Sequence, residues 1–173
     1  MKRFPLFWLT GNTGAGKTTL AEEMREYFNE HLGASHPAAR RVVVLDGDEM
    51  RATISVDEGL EPDDRRTHNL RVARLANLLS EHGFLVLVAV IAPFARVRAE
   101  LEGICDPVWI YVKRSGLEAP DKPYEPPAHP ALTIDNDALS IEEGRAKLAA
   151  FLLAHASENY TTNKLYGFQS PCA

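Results

Sequence analysis

Three observations predict an α/β fold, a doubly wound parallel sheet with helices on both faces. Short apolar runs recur along the chain, longer amphipathic stretches alternate with them, and a glycine-rich turn stands between the first run and the first stretch. The 173 residues suit one domain, and 45% hydrophobic content supplies one substantial core.

The apolar runs at 6–9, 42–45, 84–91, 108–112 and 132–134 are too uniformly hydrophobic for half-exposed strands, so they read as buried strands of a parallel sheet. Helices are predicted over 17–31, 63–82, 94–103 and 140–155. Gly83 stops the second, and Ser140 with Glu143 has capping-box spacing at the start of the last. Two segments interrupt the alternation: a loop at 33–41 containing His36-Pro37, and a stretch at 113–130 whose five prolines break any periodicity. The second is the expected lid of a domain spanning 1–156, and the polar stretch 157–173 is expected to form a C-terminal tail.

Met1-Lys2-Arg3 has the basic start of a signal peptide, but the apolar run 4–10 is too short and leads into the glycine-rich turn. The run 84–91 is far below the roughly 20 residues of a membrane span, so no membrane partner is expected. A net charge of −5 with no long basic block gives no general nucleic-acid surface. Cys105 and Cys172 lack metal-ligand or disulfide-framework spacing, which suits a reduced, cytoplasmic setting.

Gly11-Asn12-Thr13-Gly14-Ala15-Gly16-Lys17-Thr18 matches the phosphate-loop (Walker A) pattern at every fixed position, between a strand and a helix. This makes the fold P-loop NTPase-type and the cofactors ATP and Mg²⁺. The glycines let backbone N–H groups turn toward phosphate, and the following helix N-terminus favours negative charge. Lys17 is expected to reach the β- and γ-phosphates and Thr18 to ligate Mg²⁺, with Thr19 completing the nucleotide-binding run. Val42-Val43-Val44-Leu45-Asp46-Gly47-Asp48 then carries two carboxylates to the end of a buried strand, where parallel sheets hold ligands. One would orient Mg²⁺ and the other accept a hydroxyl proton, the two roles being left unassigned. The alternative is an Asp-Gly turn in which Asp48 caps a helix.

From the phosphate loop and Asp46-Gly47-Asp48 with Arg51, the sequence continues in a pattern that resembles the adenylylsulfate (APS) kinases. Arg66 and Asn69 match an arginine–asparagine pair on the family's next helix, Val90-Ile91-Ala92-Pro93-Phe94 its Ile-Ser-Pro-Tyr stretch, and Pro123-Tyr124-Glu125-Pro126 its Pro-Tyr-Glu element. The resemblance implies a phosphotransferase acting on the 3′-hydroxyl of adenylylsulfate, with Arg51, Arg66, Asn69, Ile91 and Ala92 at the acceptor and Lys113 or Arg114 at the nucleotide. It also raises a homodimer. Asp63, Asp64, Arg65 and His68 are assigned to a solvated helix face, and Arg96 and Arg98 to either the acceptor or an exposed helix.

Three departures from the family stand out. Leu60 replaces the aromatic residue that stacks on the acceptor base, Ala92 replaces a serine proposed elsewhere to carry phosphate, and the long basic lid is shortened to Lys113-Arg114-Ser115-Gly116-Leu117-Glu118-Ala119-Pro120. The alternatives are a kinase of hydroxymethyl pyrimidine in DNA and a non-catalytic nucleotide-binding module. The aromatics Phe7, Trp8, Trp109 and Tyr111 are assigned to the core.

Overall fold

The computed structural model describes residues 4–31 and 41–164, with side chains as far as residue 155. Its strands are β1 (Leu6–Thr10), β2 (Val42–Asp46), β3 (Leu85–Ala89), β4 (Val108–Lys113) and β5 (Leu132–Asp135). Its helices are α1 (Lys17–His31), α2 (Gly47–Thr53), α3 (Pro62–Glu81), α4 (Ala95–Cys105) and α5 (Ile141–Lys164). The strands form one parallel sheet in the order β2-β3-β1-β4-β5.

β1 lies in the middle of the sheet with all five residues buried, and its alternation builds both layers of core. Phe7 and Leu9 pack with Leu20, Met24 and Phe28 of α1 and with Leu148 and Leu152 of α5. Leu6 and Trp8 face the other way, onto Val72 and Ala76 of α3 and Val97 and Leu101 of α4. Each such large side chain contributes about 1.5–3 kcal/mol on burial, and β1 places them on both sides of the sheet. The doubly wound architecture therefore matches expectation.

The ends of elements differ in informative ways. Seven-residue α2 has only Met50 buried and so shows no apolar period in the sequence. β3 stops at Ala89 because Val90 and Ile91 turn their carbonyls to side chains of β1. The last helix runs to Lys164, past the expected tail boundary at 157. The predicted stop and the predicted start are both present: Gly83 takes φ +82° after α3, and Ser140 and Glu143 exchange hydrogen bonds at 2.8 and 3.2 Å before α5. Most of the 33–41 loop, and Cys172, lie outside the described residues. Among the described residues no helix is long and apolar enough to cross a membrane.

Candidate active site

The loop between β1 and α1 closes tightly against β4. A side chain on Gly11 would place its Cβ 2.2 Å from the Val112 carbonyl oxygen, and Gly14 and Gly16 take φ of +83° and +100°. These positions need glycine for two different reasons, close approach and left-handed backbone. Lys17 is buried, and its ammonium donates to the carbonyls of Gly11 and Asn12 at 2.9 and 2.8 Å. Burial pulls its pKa down to about 8, with the charges of Asp46 and Asp48 opposing. From the far side the Asn136 amide donates to the Ala15 carbonyl at 2.7 Å, fixing the loop to the end of β5.

The two carboxylates after β2 stand in different environments. Asp46 is the N-cap of α2: its Oδ1 accepts from the backbone N–H of Asp48 at 2.9 Å and of Glu49 at 3.2 Å. Its Oδ2 accepts the Thr18 hydroxyl at 2.6 Å. Asp48 is exposed, and among the described residues its carboxylate has no hydrogen bond or ion pair. The capping role thus falls to Asp46 rather than Asp48.

Both carboxylates border a cavity of about 390 Å³ that also takes in Thr13, Gly14, Lys17, Thr18, Arg51, Asn69, Ile91 and Ala92. Gly11, Asn12, Ala15 and Gly16 shape the loop behind it without lining it, and Thr19 lies on the first turn of α1, also off the wall. Arg66 is a correction. It turns away from the cavity into a paired hydrogen bond with Glu100 of α4, at 2.9 Å from Nε and 2.5 Å from Nη2. The residue on the cavity side is Arg65. The reason is the helix period: at roughly 100° per residue, Arg65 falls near the centre of the buried stripe Val72, Ala73 and Ala76, whereas Arg66 falls at its edge, on the side where Glu100 meets it. That stripe was the available signal. His68 is a second correction, being 2% exposed and cavity-lining instead of solvated.

Arg51 and Arg65 tie down the 57–61 loop as well as facing the cavity, donating to the carbonyls of Gly59 at 2.8 Å and Leu60 at 2.6 Å. Arg71 holds the loop's base through Asp57 and Glu58. Burial first, and Arg65 next, push the Arg51 pKa down, so two cations crowd one wall. An anion between them would relieve that repulsion. Leu60 is an exposed apolar edge to the same wall.

Another wall is a corner whose four successive carbonyls, from residues 90 to 93, each accept a hydrogen bond. Trp8 Nε1 donates to Val90 at 2.8 Å, Thr10 Oγ1 to Ile91, Arg98 Nη1 to Ala92 at 2.9 Å, and the Glu125 N–H to Pro93 at 2.9 Å. Ala92 sits there at φ +45°, a left-handed conformation costly for a residue with a Cβ and held by these bonds. Tyr124 meets Thr10 Oγ1 at 3.1 Å; because that hydroxyl's proton goes to Ile91, the phenol is the donor. Burial raises its pKa to about 12, so it keeps the proton. Buried Arg98 therefore serves the corner, while Arg96 lies over the Phe94 ring at 5.9 Å. Phe7, Trp8 and Trp109 are core residues as expected, whereas Tyr111 is half-buried and stacks on Tyr124 at 6.0 Å.

A family model described as adenylylsulphate kinase matches residues 4–116. The chain belongs to this family. An adenylyl-sulfate kinase of Bacillus pumilus (strain SAFR-032) is 34% identical over 85% of this chain and 84% of its own length. The solved structure of APE1195 superposes with a TM-score of 0.80 at 28% identity, covering 90% of this chain and 98% of that one. The Mycobacterium tuberculosis APS kinase CysC in complex with AMPPNP and APS superposes at 0.71 with 25% identity, over 89% of this chain and 99% of that one.

In this member of the APS kinase family the 113–130 segment packs beside the site. Lys113 pairs with Asp135 at 2.6 Å, and Arg114 is exposed and off the cavity wall. The 113–130 segment meets the cavity through Asp121 and Lys122, at a turn closed by the Lys122 N–H to the Ala119 carbonyl at 2.9 Å. No sequence signal singled them out, since they lie in a proline-rich stretch without period.

Proposed function

We propose that the chain transfers the γ-phosphoryl group of Mg-ATP to the 3′-hydroxyl of adenylylsulfate, giving 3′-phosphoadenylylsulfate and ADP. The division between the two carboxylates carries this reading. Asp46 is engaged by Thr18 and by α2, and Asp48 stands exposed, without a hydrogen bond among the described residues, on the same rim. The family relatives named adenylyl-sulfate kinase support the acceptor.

The touching oxygens of Thr18 and Asp46 suit Mg²⁺, a hard cation that takes one or two protein oxygens and leaves its other positions to phosphate and water. When bound, the ion neutralises charge on the transferring phosphoryl group. Lys17 adds a second positive charge from beneath, and the loop N–H groups at the start of α1 cradle the phosphates. Asp48 accepts the acceptor's hydroxyl proton as that oxygen attacks phosphorus and the bond to the ADP oxygen breaks. Arg51 and Arg65 hold the acceptor's anionic group, with the Asn69 amide beside them. Ala92 has no hydroxyl to carry phosphate, so transfer is direct.

An ADP-release assay with APS, and identification of the product, tests this. Absence of turnover with APS, alongside steeply salt-dependent labelling of hydroxymethylated DNA, would install the other acceptor class. Incubation with γ-labelled ATP alone should leave the protein unlabelled, and a phosphoenzyme that APS discharges would overturn direct transfer.

A further inference from the structure

The cavity wall contributed by α3 holds two side chains with buried polar atoms that have no partner among the described residues. Both ring nitrogens of His68 and the Asn69 Nδ2 are buried without a hydrogen bond, and each residue is only 2% exposed. Such groups are rare in folded proteins and call for an explanation. They occupy the cavity end of a stripe that is otherwise Val72, Ala73 and Ala76, where an apolar residue would pack at no polar cost. Mg-ATP chemistry uses neither ring nitrogen.

We propose that His68 is an acceptor-binding residue: its imidazole turns about Cβ–Cγ to present a nitrogen to an uncharged polar group of the acceptor nucleoside, a hydroxyl or a base edge, beside the Asn69 amide. The inference rests on the acceptor reading above and extends it to a residue outside the carboxylates and arginines. An uncharged partner follows from the surroundings. Arg51 and Arg65 already supply the cationic wall for an anion, and the charges of Arg51 and Arg71, after burial, hold the His68 ring neutral with a pKa of about 4. A neutral imidazole offers one donor and one acceptor, which matches a hydroxyl or a ring nitrogen. Leu60 gives the same wall an apolar edge but no stacking ring, so orientation of the nucleoside falls to hydrogen bonds.

The test separates binding from structure. His68→Leu should raise the apparent KM for APS roughly tenfold or more with the KM for ATP unchanged. It should also raise the Tm of the ligand-free protein by roughly 2–4 °C, because unpaired polar atoms leave the interior. His68→Gln should restore part of the APS affinity. In the unaltered protein, ¹⁵N-histidine NMR should show the His68 ring signals move on adding APS in the presence of ADP. An unchanged APS KM in both variants, or a ring signal that ignores APS, overturns the proposal. If the unaltered enzyme leaves APS unphosphorylated, the acceptor reading fails on its own, and the Tm arm decides His68: no rise for His68→Leu overturns a binding role.

Discussion

A buried ammonium responds to pH where an exposed one does not. Lys17, with its pKa drawn down to about 8 by burial, loses its proton in the ligand-free protein as pH rises past that value, while bound phosphates favour the charged form. Nucleotide binding then takes up a proton above about pH 8, so Mg-ATP affinity should fall as pH rises through it, which titration of a fluorescent ATP analogue will read. Folding has the opposite sign. The unfolded chain holds the proton up to the ordinary lysine value of 10.5, so the lysine's burial cost is full below about pH 8 and fades between the two values. Lys17→Ala should abolish turnover and keep the fold. The two aspartates should separate under mutation: Asp48→Asn lowers kcat with unchanged Tm, whereas Asp46→Ala also removes a helix cap, costing about 1 kcal/mol. Asp46→Asn keeps the cap and loses activity, since asparagine caps as well as aspartate.

On α3 the side of the helix decides what a residue does. Arg65→Ala should raise the acceptor KM by more than Arg66→Ala, because Arg66 is spent on Glu100 and Arg65 borders the cavity; steady-state kinetics on both variants checks the ranking. At the corner, Arg98→Met leaves the Ala92 carbonyl unpaired in the interior, at a cost of about 1–3 kcal/mol, and should lower Tm accordingly. The strands, the phosphate loop and the Asp46-Gly47-Asp48 turn were legible because uniform apolar runs and a fixed motif leave few alternatives. Arg66 was misplaced because a spacing of three admits two neighbouring helix faces, and only the direction of Val72 and Ala76 toward the sheet separates them. α2 was hidden because Met50 is its sole buried residue. Nor could sequence spacing show that Arg98 reaches back to Ala92, a contact made by the turn into α4.

For the molecule as a whole, the sheet and the phosphate loop are one piece. Gly11→Ala would drive a Cβ into the Val112 carbonyl, a backbone neighbour that cannot swing aside. A Tm drop of more than roughly 4 °C, together with lost nucleotide binding, is expected and is measurable by thermal shift with and without Mg-ATP. The corner at 90–93 carries a different consequence. Trp8 and Thr10, which grip it, belong to the same strand whose end leads into the phosphate loop. The phosphate loop and the corner are thereby referenced to a single datum, like two jaws machined on one rail. Small displacements of β1 move both jaws together and leave the gap between them unchanged, so the width of the cavity is buffered against strain elsewhere in the sheet.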